Sequence, residues 1–348
     1  MDMITARSFA RAGFLGNPSD GYFGKTLSFS FSNFGVDLKL SESARMRFVP
    51  GEVDDATFDP PEKLVHDLRL YGYYGGIRML KAVAKRFFEY CFDHGIAIPP
   101  RNFTAEYKIN IPRLVGLSGS SAICSAMLKA LMRFYCVDIP QEFAPTICLE
   151  AEKYELGINC GFQDRVIQMY NGLVFMDFEQ SFVETHNFGR YERLDPQVLP
   201  RVYVAFDPNR AEESGKAHKK VKSLFEAKKP DILAAMTEFA DIAQRGRDAL
   251  VAGRMEEIAS LVNANFDLRD RIFNVSEQNR NMVMVARSAG ASAKFAGSGG
   301  AIVGTYEDDA QFIHLQKRLS TIGCTTIKPV IATSDEVDVV GRGTWRNS

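Results

Sequence analysis

Glu152 and Asp164 fall near the two ends of one segment, AEKYELGINCGFQDR, residues 151–165. A carboxylate beside a polyphosphate is repelled unless it binds a metal ion or takes a proton. Phosphoryl transfer wants one of each: a metal carboxylate, and a second that accepts or orients the proton of the attacking hydroxyl. Read singly, each of the two is as good a surface carboxylate. A second group of candidates is the hydroxyl-rich turn Gly116-Leu117-Ser118-Gly119-Ser120-Ser121. Such a turn can carry a serine nucleophile, cradle a phosphate, or simply cap a helix. A nucleophile elbow needs G-x-S-x-G, and here the second glycine comes one place early. No histidine stands where it would serve such a serine. The near-match SDGYFGKT, residues 19–26, has Ser19 where a Walker A loop needs its first glycine. The GSGG of residues 297–300 has Ile302 where a dinucleotide fingerprint needs glycine, and its flanks read strand–turn–strand.

The flanking periodicities decide what the 116–121 turn can be. Residues 103–111 alternate apolar Phe103, Ala105, Tyr107, Ile109 and Ile111 with polar side chains, which predicts a strand ended by Pro112. After the turn, Ile123, Met127, Leu128, Leu131, Met132 and Tyr135 recur at helical spacing, with Ser125, Lys129 and Arg133 on another face. A strand, a tight Gly/Ser turn and a helix N-terminus present free N–H groups and the positive end of a dipole. That is an anion site, and phosphate is its commonest biological occupant. The serine hydroxyls could also ligate Mg²⁺, or cap the helix and do nothing else.

Elsewhere the pattern predicts a strand pair over 27–40, mostly helix over 64–94 around YGYYGG, helix over 148–156 and a strand over 172–178. RLDPQVLP, residues 193–200, reads as a domain junction. Beyond it come a strand at 202–206, helices near 231–251, 254–273 and 279–289, a strand through KFAGSGGAIVGTY, a helix at 308–322 and a strand at 325–331. Mixed strands and helices in two blocks predict two α+β domains. The expected bounds are 1–195 and 196–334, with a loose tail at 335–348.

The chain of 348 residues carries 42 basic and 43 acidic side chains, so nothing in its charge favours nucleic acid or an anionic membrane surface. Lys129 and Arg133 interrupt the long apolar run after Ser121 too soon for a membrane span, and the first residues lack a signal-peptide layout. The expected location is therefore cytoplasmic. Six cysteines without a C-x-x-C pair and five scattered histidines argue for free thiols rather than a zinc site. Nothing in the sequence fixes an oligomeric state.

Three motifs in order, ARAGFLGNPSDGYFG (10–24), IPRLVGLSGSSA (111–122) and AKFAGSGGAIV (293–303), resemble those of the GHMP kinases. These small-molecule kinases use a Gly/Ser loop in place of a Walker A loop. The likeness runs over roughly residues 4–332 and implies a ribosomal-protein-S5-domain-2-like N-terminal domain with a ferredoxin-like C-terminal domain. Within that family, GNPSD, YGYYGGIRML, IPRLVGLSGSSAI, GFQDRV, NFDLRDRIF and KFAGSGGA are similar to the glucuronokinase branch, which phosphorylates D-glucuronate at its anomeric hydroxyl. Galactokinase-like members have Glu-His where this chain has Asn17-Pro18, which speaks against galactose.

The resemblance implies ATP and Mg²⁺ as cofactors and a sugar acid as small-molecule partner. It implies Asp164 as the catalytic carboxylate, Arg11 as its basic support, and Glu152 with Ser121 (or Ser120) as Mg²⁺ ligands. Gly116, Leu117, Ser118, Gly119, Ser120 and Ser121 would wrap the phosphates. Asn17, Asp20, Gly297, Gly299 and Gly300 would lie on the sugar side. For the sugar's carboxylate, Arg165 and Arg113 are candidates by position, and Arg7 a third. Anomeric kinases for galacturonate, galactose or arabinose stay open as alternatives, as does a non-catalytic sugar sensor on the same fold.

Overall fold

Arg11 lies on a strand whose inner half has no exposed face, and that local fact shapes the molecule. Strand β1 (Met3–Leu15) is buried at every residue from Ser8 onward. Small residues at Ala10, Ala12 and Gly13 let neighbours approach from both sides. In a computed structural model, residues 3–51, 54, 75–208 and 215–333 are described. The expected helical stretch at 64–74 and the tail at 335–348 lie outside these residues.

β1 pairs antiparallel with β2 (Lys25–Ser43). The expectation of a strand pair over 27–40 is corrected here, because β2 is one strand of 19 residues. Its Ser32-Asn33-Phe34-Gly35 stretch resembles a turn, but the register passes from Phe9↔Gly35 to Ala10↔Phe31, which makes it a bulge within a continuing strand. The first half of β2 pairs with β5 (Leu173–Asp177) and the second with β4 (Asn102–Ile109); β3 (Arg47–Phe48) and β6 (Arg190–Leu194) complete a six-stranded sheet.

Helix α1 (Gly76–Asp93) packs on α2 (Gly119–Tyr135), and α2 packs on β1 and β2. Covered on both sides, α2 is buried around most of its circumference. The polar face expected at Ser125, Lys129 and Arg133 is thus partly internal: Lys129 Nζ donates to the Gln168 carbonyl at 2.6 Å instead of meeting solvent. The chain continues through α3 (Ala144–Glu150), a π turn (Ala151–Glu155), α4 (Gln163–Tyr170) and α5 (Gln180–His186).

The second sheet contains β7 (Val202–Phe206), β8 (Lys294–Phe295), β9 (Ala301–Thr305) and β10 (Thr325–Ile327), ordered β10-β7-β9-β8. Counted within this sheet the order is 4-1-3-2, all antiparallel, as in the ferredoxin-like arrangement. Between β7 and β8 run α6 (Gly215–Glu226), α7 (Pro230–Val251), α8 (Glu256–Ile272) and α9 (Glu277–Ser288); α10 (Asp309–Ser320) precedes β10. The fold is α+β, as expected. The expected strand at 325–331 stops at Ile327, and Ile331 instead bridges to Phe31 in the bulge of β2. No described helix is long and apolar enough to cross a membrane.

Candidate active site

A buried arginine on a buried strand needs a counter-charge, and Asp164 supplies it. Arg11 Nε donates to Asp164 Oδ1 at 2.6 Å and Nη2 to Oδ2 at 2.8 Å, a two-pronged fork. The third nitrogen, Nη1, donates to the Gly116 carbonyl at 2.7 Å. Asp164 sits in the first turn of α4, where the helix dipole also favours a negative charge. Burial alone would raise its pKa. The Arg11 charge and fork, then Arg165 and the Ser118 hydroxyl, outweigh burial and hold it well below the usual carboxylate range.

The 116–121 turn does not cap its helix in the expected way. Ser118, at the N-cap of α2, adopts a left-handed conformation (φ 68°), and its side chain caps no N–H. Its hydroxyl donates instead to Asp164 Oδ2 at 2.7 Å and lies 3.1 Å from Ser121 Oγ. The first-turn N–H groups of α2 thus receive no side-chain acceptor from Ser118, and a helix provides them none of its own. Close packing holds the turn in place. A Cβ on Gly116 would stand 2.4 Å from the Gly299 carbonyl, and one on Gly297 would stand 2.3 Å from the Gly116 carbonyl. The second and third glycine-rich segments therefore touch backbone to backbone.

One cavity of about 380 Å³ collects most of the expected residues. Gly116, Leu117, Ser118, Gly119, Ser120 and Ser121 form one wall; Arg11 and Asp164 lie in it; Asn17, Asp20, Arg165, Arg113 and Gly297 line the remainder. Four candidates stand outside. Gly299 packs on Gly116, and Gly300 on Val115, where its added Cβ would come within 3.0 Å of Cα; both support the loop from behind. Arg7 is half exposed on β1 and pairs with Asp37. Glu152 is fully buried behind Arg165, whose Nε donates to Glu152 Oε2 at 2.6 Å and whose Nη2 makes a second bond to the same oxygen.

Two acids in this cavity carry opposite shifts. Asp20 lies beside α4, where its Oδ2 accepts from the Gln163 N–H at 3.2 Å. Burial, then the charge of Asp164, lifts its pKa to about 6, against the smaller pull of Gln163, Arg165 and Arg11. Sequence reading gave no role to Arg269 or Lys294, both buried near the same wall. Their only signal was the wording NFDLRDRIF and KFAGSGGA that contains them.

Residues 78–172 match the model of the GHMP kinases N-terminal domain. A probable glucuronokinase 2 of Arabidopsis thaliana is 45% identical over 304 residues, spanning 85% of this chain and 82% of that protein. The chain belongs to the glucuronokinase family of GHMP kinases. Glucuronokinase 1 of the same plant is 43% identical over 306 residues, covering 86% of this chain and 84% of its own length. Solved structures agree on the fold. Lactococcus lactis galactokinase complexed with galactose superposes with a TM-score of 0.77 at 14% identity, covering 95% of this chain and 94% of that one. A D-glycero-D-manno-heptose 1-phosphate kinase superposes at 0.65 and 17% identity, covering 94% and 97%. The protein is a sugar kinase, and its cavity is where these family motifs converge.

Proposed function

We propose that this kinase transfers the γ-phosphoryl group of ATP to the anomeric hydroxyl of D-glucuronate, giving glucuronate 1-phosphate and ADP. The observation that carries the substrate is the 45% identity with a protein described as a probable glucuronokinase. The observation that carries the chemistry is the Arg11–Asp164 fork, set between the Gly/Ser wall and the wall of Asn17 and Asp20.

The first-turn N–H groups of α2 and the backbone of Gly116 to Ser118 receive the triphosphate. Asp164 faces the acceptor hydroxyl. A carboxylate held this far below the usual range is a weak base and cannot strip an alcohol in advance. It orients the hydroxyl and takes its proton as the new O–P bond forms, when that oxygen becomes acidic. The anomeric hydroxyl suits such a base because it is more acidic than an ordinary alcohol. The bond from the γ-phosphorus to the bridging oxygen breaks, and ADP leaves with that electron pair. Arg11, anchored on Asp164 and Gly116, places fixed positive charge beside the developing anion.

The residues present fit a magnesium ion. Glu152 Oε1 is buried and has no hydrogen-bond partner, and the Ser121 hydroxyl lines the cavity. A carboxylate oxygen, a hydroxyl and phosphate oxygens form the hard donor set that Mg²⁺ takes. Bound there, the ion would neutralise charge on the polyphosphate. Asp20 would accept from sugar hydroxyls.

A sugar panel tests the substrate. Purified enzyme with MgATP should consume ATP with glucuronate and make a phosphate ester with the phosphorus–C1 coupling of an anomeric phosphate. Galacturonate, galactose and arabinose should react at least tenfold more slowly. Turnover of a neutral sugar with none on any uronic acid would refute the assignment.

A further inference from the structure

Glucuronate carries its carboxylate on C5, and only the ring oxygen separates C5 from the anomeric carbon. With the anomeric hydroxyl at Asp164, the carboxylate meets a wall next to Asp164. The three buried arginines of the cavity are already engaged within the protein. Arg11 forks onto Asp164, Arg165 binds Glu152 with two nitrogens, and Arg269 holds the Gly297 and Ser298 carbonyls at 3.0 and 2.9 Å. Two lysines, Lys153 and Lys222, also line the cavity. Lys153 is exposed, with its Nζ over the ring of Tyr154.

Lys222 comes from α6, and the sequence explains how that helix is seated. Val221, Leu224 and Phe225 recur at helical spacing and pack on the core. The Phe225 ring stands edge-on to Tyr22, with centres 4.9 Å apart, so α6 rests on the short turn Ser19–Tyr22 that carries Asp20. Lys222, beside this apolar face, is half-buried and lines the cavity. Its Nζ donates to Asn159 Oδ1 at 3.5 Å, its only polar contact among the described residues. Two residues after Asn159, a Cβ on Gly161 would stand 2.0 Å from Asp20 Oδ2. Asn159 and Lys222 therefore belong to the Asp20 side of the cavity. One long contact to a neutral amide leaves an ammonium with donors to give.

We propose that Lys222 receives the carboxylate of the acidic sugar and so selects uronic acids over neutral sugars. The inference rests on the glucuronate reading above. The Asn159 contact keeps a flexible side chain aimed at the cavity before the sugar arrives. Because that contact is long, the ammonium gives it up at little cost. A carboxylate is the stronger acceptor, and Lys222 binds it as a point charge rather than as a fork. Its half-buried position makes the attraction stronger than it would be in bulk water. A neutral sugar offers no such partner, so the discrimination lies in one charge-assisted contact.

Glucuronate and its neutral isostere glucuronamide separate this role from a structural one. In the wild type kcat/KM should favour the acid. Lys222→Met keeps the length of the side chain and removes its charge. The acid should lose about tenfold and the amide little, so the ratio falls while KM for ATP stays unchanged. Lys222→Arg keeps the charge and should hold the ratio within about threefold of wild type. If the amide binds without reacting, its inhibition constant against glucuronate replaces KM in the comparison. An unchanged acid-to-amide ratio in Lys222→Met overturns the inference alone. So does an equal loss on both compounds, which marks a structural role, or a rise in KM for ATP without one for the acid, which puts Lys222 on the phosphate side. A wild type that phosphorylates neither compound overturns the substrate assignment, and the inference with it.

Discussion

The Arg11–Asp164 pair shows how one interaction sets both a structure and a chemical property. Arg11 is buried on β1 and must be paired; the fork that pairs it also keeps Asp164 ionised and unwilling to hold a proton. Asp164→Asn preserves shape but removes the acceptor. It should lower kcat about a thousandfold while the ATP affinity measured by calorimetry changes less than threefold; kcat within tenfold of wild type would remove Asp164 from its role. Asp20 behaves in the opposite way. Its pKa is lifted from 3.8 to about 6 in the folded chain. The sign for stability follows: its contribution is full below pH 3.8 and is lost as pH rises through about 6. The sign for substrate binding is the reverse, because the ionised carboxylate is the better acceptor for sugar hydroxyls. KM for the sugar should fall as pH rises from 5 to 7, with a midpoint near 6, and Asp20→Asn should flatten that limb. A limb that survives the substitution would assign it to another group.

Elements place these residues, and their legibility in the sequence followed the reach of local signals. The strand at 103–111 and the helix after it were readable because alternation and helical period act within one segment. The Gly/Ser turn between them was readable as a turn ahead of a helix N-terminus for the same reason. The hydroxyls were not, because Ser118 turns to Asp164 across 46 residues and no local pattern announces that partner. Read locally, β2 looks like a pair of strands, since its bulge carries the same Ser, Asn and Gly residues as a turn and only pairing with β1 distinguishes the two. Gly116 gives the element-scale test. It has φ +75° and almost no space for a Cβ before the Gly299 backbone. Gly116→Ala should cost about 2 kcal/mol in stability and raise KM for ATP more than KM for the sugar. Equal effects on both would mean that the turn does not belong to the phosphate side.

At the scale of the whole molecule, two sheets share one function because they also share a core. We place the domain boundary near residue 195, between β6 and β7. Asp195, Pro196 and Pro200 are the local signals for placing it there, whereas no local signal announces the contacts between the two sheets, since they join distant parts of the chain. Phe206 of β7 packs edge-on against Phe34 in the β2 bulge, with ring centres 5.7 Å apart. Residues 330–332 return to the first sheet: Ser32 N donates to the Val330 carbonyl at 2.8 Å and Ala332 N to Ser30 at 3.0 Å. One hydrophobic cluster runs from Ala6 through Val303. Continuous burial across a boundary couples the unfolding of the two sides, because neither can open without exposing the other's apolar surface. Calorimetry should therefore give one transition with equal calorimetric and van't Hoff enthalpies, although chains of this length often unfold in steps. Phe206→Ala should lower the midpoint by removing about 3 kcal/mol and still leave a single transition. Two resolved transitions in the wild type would show that the halves fold separately, and the site between the glycine-rich segments would then be assembled by docking rather than by a common core.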